Sequence, residues 1–137
     1  MRTFTVDTSA STDVAWQLLA QPDDWHRWSP HVRGAWQLGD PEVRDGARGA
    51  ARLLGVVPVP ARITAKRAGR SWTWRVGPVE MVHRVDPGPD GGATVAIDLS
   101  APGPLERALA LTYGPLIEVS LNRLAQEAER VVGTPAR

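Results

Sequence analysis

A chain of 137 residues, 42% of them hydrophobic, is long enough to bury roughly two-thirds of the surface it exposes when unfolded, so a single domain over residues 1–137 with a real core is expected. It has no cysteine, which excludes a disulfide framework, a thiolate nucleophile and a zinc–thiolate site. Its net charge is +1 with acids and bases interspersed, which leaves no electrostatic footprint for nucleic acid or an anionic membrane.

The N-terminal residues carry no apolar leader, and a cytoplasmic location is expected. Phe4, Val6 and Thr8 alternate with Thr3, Asp7 and Ser9, the period of a first strand over residues 2–9. A helix follows: Ser11 is an N-cap residue, Asp13 suits the helix dipole, and Val14, Ala15, Leu18 and Leu19 form one stripe. Pro22 ends it. Residues 22–32 (PDDWHRWSPHV) read as a short second helix limited by Pro30, with Trp25 and Trp28 on one side as a packing plug. His26 and His31, five apart, do not form a two-histidine zinc face, and no metal or cofactor is expected.

From Val32 the alternation returns, with Trp36 and Leu38 sharing a parity. Residues 47–54 place Gly49, Ala51 and Leu53 on one face and Arg48 and Arg52 on the other. Residues 57–66 place Ala61, Ile63 and Ala65 opposite Arg62, Thr64 and Lys66. Interiors are densely packed, so small inward residues such as Gly49 and Ala51 imply either a bulky neighbour that fills the gap or a pocket. The run Leu53 to Ala61 is apolar, but it is broken by Pro58 and Pro60 and too short to span a bilayer.

Residues 70–87 read as a β-hairpin about Gly77-Pro78. Symmetric pairing sets Arg75 against Glu80, Trp74 against Met81 and Trp72 against His83, so one face carries an ion pair and the other is aromatic. Proline is awkward at the second position of a two-residue loop, which predicts a wider turn. After the turn 87–92, Ala93, Val95, Ile97 and Leu99 line one face of a seventh strand. From Pro104 the period becomes helical through Leu105, Leu109, Leu116, Ile117, Leu121, Leu124, Ala125 and Ala128. Gly114-Pro115 should kink or split this long helix near Tyr113, because proline cannot donate to the ladder. One strand, two short helices, six strands and a long amphipathic helix describe an α+β domain whose antiparallel sheet has one apolar face for the terminal helix to cover.

This order of elements, with the patterns WHRWSPHV, RDGARGAARL, SWTWRV, MVHRVDP and GGATVAI, resembles the START-like or SRPBCC superfamily, in particular its polyketide cyclase/dehydrase and lipid-transport branch, over roughly residues 3–130. The resemblance implies a helix-grip fold, a seven-stranded sheet wrapped around the C-terminal helix with an apolar cavity between them. On it, Trp28 matches the tryptophan that anchors the second helix, Trp74 matches one that points into the cavity, and His83 has inward parity. Gly49 departs from a large apolar residue common in relatives. The superfamily includes carriers, hormone receptors, cyclases and co-chaperone domains, so the fold does not settle function.

The expected ligand is a small hydrophobic molecule, aromatic, polyketide-like or lipid, held in a cavity formed by Trp36, Gly49, Ala51, Ile63, Trp72, Trp74, Met81, His83, Tyr113 and Leu116. A cyclase or dehydratase reading adds a proton relay through His83, whose ordinary pKa of ~6.5 suits neutral pH, or through Tyr113. As alternatives, His83 orients a ligand as a hydrogen-bonded wall residue, and Tyr113 packs against the sheet. A protein-interaction module would need an outward apolar surface, and none stands out in the sequence. Glu80, Arg75, Arg84 and Asp98 have outward parity and read as a solvated surface, where exposed pairs contribute only ~0–1 kcal/mol.

Overall fold

The computed structural model describes residues 1–133; positions 134–137 of the expected domain lie outside the described residues. Seven antiparallel strands form one sheet in the order β1-β7-β6-β5-β4-β3-β2. They are β1 (Arg2–Thr8), β2 (Val32–Trp36), β3 (Arg48–Leu53), β4 (Val57–Arg67), β5 (Ser71–Val76), β6 (Val79–Pro87) and β7 (Ala93–Ser100). Helix α1 (Thr12–Ala20) and a 3₁₀ helix (Pro22–Arg27) connect β1 to β2, and α2 (Pro104–Thr112) and α3 (Gly114–Gly133) close the chain. Among the described residues no helix is long and apolar enough to cross a membrane.

Local chemistry accounts for most boundaries. The Ser11 hydroxyl accepts from the Val14 N–H at 3.3 Å and so satisfies one of the orphan donors at the start of α1. Leu18 and Leu19 are fully buried on its inner side, each stabilising the fold by about 1.5–3 kcal/mol. The terminal helix splits at Tyr113 as its Gly-Pro pair demands: Tyr113 N–H still reaches the Leu109 carbonyl at 2.7 Å, and Pro115 then stands in the first turn of α3, where a missing N–H costs nothing. Beyond the split Ile117, Ser120, Leu121, Leu124, Ala125 and Ala128 are buried, a stripe at i, i+3, i+4, i+7, i+8 and i+11 laid on the sheet. The N-terminal strand is tied to this helix where Thr8 donates its hydroxyl to the Ala125 carbonyl at 3.2 Å and Ser9 N–H donates to Glu129 Oε2 at 3.0 Å.

The β5–β6 register is the expected one, with Trp72 opposite His83, Trp74 opposite Met81 and Arg75 opposite Glu80. Its turn is tighter than expected. Val76 pairs with Val79, so Gly77-Pro78 is a two-residue loop, and Gly77 adopts φ 56°. With glycine taking the positive φ at the first loop position, the second is left with the negative φ that proline prefers, the pattern of a type II′ turn.

On the outer face, the Arg75–Glu80 ion pair is absent within 4.0 Å among the described residues. Arg84 pairs instead with Asp98 at 3.0 Å, and with Asp86. Thr3 also donates to Asp98 at 2.7 Å. Against the cost of its burial, the hydrogen bonds from Arg84 and Thr3 hold the Asp98 carboxyl below its usual range, so part of this face is a built network rather than a solvated surface. The tip between β3 and β4 also departs from expectation by leaving Leu54 and Val56 largely exposed.

Two inward assignments on the far strands change. In β4 the register to β5 shifts between Ile63 and Ala65. This extra residue turns Ala65 outward and brings Lys66 round to pair with Glu42 at 3.0 Å. Gly49 leaves no pocket volume, because a Cβ there would stand 1.9 Å from the Trp36 carbonyl oxygen; its missing side chain lets the β2 backbone approach β3. Gly49→Ala is therefore expected to cost about 1–3 kcal/mol by overpacking. A urea midpoint equal to that of the wild type would show that the edge strand gives way freely.

Candidate functional site

Between the concave face of the sheet and the split in the terminal helix lie two neighbouring cavities. The outer one, about 270 Å³, has walls from β3 to β7 that include Ala51, Val59, Val76, Val79 and Leu99, and Leu109 of α2 closes its other side. The inner one is about 40 Å³ and is lined mainly by aromatic residues with Ser29, Ile117 and Ser120. His31, Val32, Trp74, Met81 and Tyr113 line both, so they form the wall between the two spaces.

An aromatic cluster builds the inner end. Trp72 on β5 stacks on His83 across the strand pair, with ring centres 3.8 Å apart and planes at 7°. Its other face meets Trp25 at 5.5 Å and 13°, and Trp74 stands edge-on to all three rings. The plug role of the short helix holds: Trp25 and Trp72 both donate indole N–H to the Leu19 carbonyl, at 3.0 and 3.2 Å, and Trp28 donates to Leu18 at 2.8 Å. Those carbonyls lie near the C-terminal end of α1, where helical acceptors are left free. The plug thus caps the helix that it packs on.

Burial decides the electrostatics. The loss of water around His83 pushes its imidazole down from 6.5 to about 3, although the neighbouring backbone of Trp72 and Met81 and the charge of Asp98 act the other way. Burial also lowers His31 and pushes the Tyr113 phenol up to about 12. His83 and Tyr113 are therefore neutral near pH 7, and His31 is held toward its neutral form. That corrects the premise that His83 titrates near neutrality; a base with a pKa of about 3 is badly matched to proton abstraction there.

The expected site residues divide. Trp72 and His83 line the inner cavity, Ala51 lines the outer one, and Trp74, Met81 and Tyr113 line both. Ile63 is buried in the core and faces neither. Trp36 is 39% exposed and lies under the Arg52 guanidinium, 5.2 Å from ring centre to Cζ. It belongs to an edge strand whose alternation is broken by a register shift between Val32 and Ala35. Leu116 is 40% exposed and Ile117 takes the cavity position; adjacent helical residues point about 100° apart, and the split sets which one faces inward. Gly49 packs against the β2 backbone and lines neither space.

Sequence reasoning missed His31. Its Nε2 is 2.5 Å from the Tyr113 hydroxyl across 82 positions of sequence, with the rings edge-on. A Ser-Pro-His step between a short helix and a strand carries no local sign of that partner. Three other atoms at the inner cavity, His31 Nδ1, Trp74 Nε1 and His83 Nδ1, are buried without a hydrogen-bond partner. No group of three potential metal ligands occurs among the described residues.

Comparison with known proteins gives one family match and many structural ones. Residues 2–129 match the profile of a family described as polyketide cyclase/dehydrase and lipid transport. No curated protein sequence matches the chain. A START superfamily protein from Mycobacterium smegmatis superposes with a TM-score of 0.69 at 16% identity, covering 95% of this chain and 97% of that one. A protein from Staphylococcus saprophyticus gives 0.77 at 10% identity over 98% and 94%. A protein of the dynemicin biosynthetic locus gives 0.67 at 17% identity, covering 93% of this chain and 46% of that longer one. At these identities the likeness shows the fold.

Proposed function

The chain belongs to the polyketide cyclase/dehydrase and lipid transport family, and on that premise we propose that it binds a small hydrophobic molecule in the space between the sheet and the terminal helices. The observation that carries this reading is the outer cavity, about 270 Å³ with almost wholly apolar walls. It is close in size to the lower end of ligand pockets, ~300 Å³. Water gains few hydrogen bonds from such walls, so an apolar guest that displaces it is favoured.

Native mass spectrometry after incubation with an organic extract of the host tests the reading: a retained ligand, recovered unchanged, is the expected result. Ala51→Phe adds a ring to the outer wall and should reduce retention at least about tenfold, the effect of ~1.4 kcal/mol of lost burial and clash. If Ala51→Phe holds the same ligand equally well, the cavity is not the site.

A cyclase or dehydratase is the second reading, and the hydrogen-bonded His31–Tyr113 pair favours it. Set at the wall between the cavities, the pair is a better placed proton relay than His83. Recovery of the ligand as an isomer, or lacking one water, would move the function to this reading. His31→Ala and Tyr113→Phe would then stop turnover.

A further inference from the structure

Apolar binding leaves the inner cavity unexplained. A buried polar atom without a partner costs about 1–3 kcal/mol, and folded proteins hold few of them. Of the four such side-chain atoms among the described residues, three belong to His31, Trp74 and His83, which all line this one space of about 40 Å³. Random packing imperfection would scatter them. The space is small, about 40 Å³ beside a neighbour of about 270 Å³, and suits a small polar group better than the apolar body of a ligand. It is also uncharged: none of its lining residues is Asp, Glu, Lys or Arg. A carboxylate or phosphate entering it would lose water without gaining a counter-charge.

Resting on the ligand-binding reading, we infer that the inner cavity is a recognition subsite for one neutral oxygen of the ligand, a carbonyl or hydroxyl, bonded by the Trp74 indole N–H and His83 Nδ1. The indole can only donate, so the ligand atom must accept. The imidazole Nδ1 donates to a ketone in one tautomer and accepts from a phenol in the other, so both ligand forms are satisfied without a charge. His31, whose Nε2 is engaged by Tyr113, lines both cavities at the wall between them. The ligand class is therefore a lipophile with an oxygen at its leading end, its apolar body in the outer cavity. A free fatty acid headed inward is disfavoured.

Titration of the full chain with naphthalene, naphthol and naphthoate, followed by intrinsic tryptophan fluorescence, tests this. Naphthol should bind about tenfold more tightly than naphthalene, the factor given by a hydrogen bond of ~1.4 kcal/mol, and naphthoate should be the weakest. Trp74→Phe, which leaves only the His83 contact, should lower the ratio of the naphthol and naphthalene constants severalfold. If that variant does not fold, proton–nitrogen spectra of the wild type provide the second readout: one indole N–H resonance moves downfield with naphthol and stays with naphthalene. Equal binding of naphthol and naphthalene, a preference for naphthoate, or an indole resonance unmoved by naphthol overturns the subsite and leaves the hydrophobic cavity standing. Failure of all three probes to bind overturns both.

Discussion

Trp72→Ala is expected to remove about 3–5 kcal/mol of stability, the range for a large buried aromatic, out of the ~5–15 kcal/mol that holds a domain folded. Trp72 is 1% exposed, lies between the rings of Trp25 and His83, and donates to the Leu19 carbonyl. Its removal opens a cavity at the junction of sheet, plug and α1 and leaves that acceptor with one donor fewer. Each lost kcal/mol lowers the melting temperature by roughly 2–8 °C for domains of this general size, so scanning calorimetry should show a fall of roughly 6 °C or more. Trp36→Ala, on the exposed edge, provides the contrast and should cost less than ~1 kcal/mol, the scale of an exposed cation–π contact. Equal losses from the two substitutions would contradict a core centred on Trp72 with Trp36 at its margin.

Acid should destabilise the protein before its carboxylates titrate, and His83 is the main cause. Above pH ~6.5 the imidazole is neutral in both folded and unfolded chains and contributes no pH dependence. As the pH falls further, the unfolded chain takes up a proton that the folded site refuses until about pH 3. The unfolded state then binds more protons, and stability drops by about 1.4 kcal/mol per pH unit through that window. The depressed pKa of His31 acts in the same direction. Asp98, held down by Arg84 and Thr3, is lost only at lower pH, below the usual carboxylate value of ~3.9. Urea midpoints between pH ~6.5 and ~5.5, above the range where Glu106 and Glu129 take up protons in the unfolded chain, therefore isolate the imidazoles. His83→Phe keeps a ring against Trp72 and should flatten most of the slope, with His31→Phe removing a smaller part. A slope unchanged in His83→Phe would mean that His83 is not the group that resists the proton.

The same burial bears on function. A histidine clamped between Trp72 and the cavity wall is a poor general base near neutrality, whereas its unpaired Nδ1 is well suited to hold a neutral ligand oxygen. Binding and orientation are what this imidazole's environment favours.

Secondary structure and strand register were legible in the residues because both depend on local periodicity. Two-residue alternation in Trp72–Val76 and Val79–Val85 set the hairpin pairing, the Ser11 cap and Pro22 bounded the first helix, and Gly114-Pro115 marked the split at Tyr113. The cavity wall was legible where alternation runs unbroken, as at Trp72, Trp74, Met81 and His83. It was misread at Trp36, Gly49, Ala65 and Leu116, where a register shift, a close backbone approach, an extra residue or a helix break resets the phase. Parity is a relative quantity, and one inserted residue inverts it for the remainder of the strand.

The set of elements, their order and the apolar face of the sheet therefore follow from the residues alone, since each depends on neighbours a few positions away. The meeting of His31 with Tyr113, the division of the space into an outer and an inner cavity, and the neutrality of His83 arise only on folding. Those properties depend on groups brought together from across the chain and on the water they exclude, and no local pattern records either.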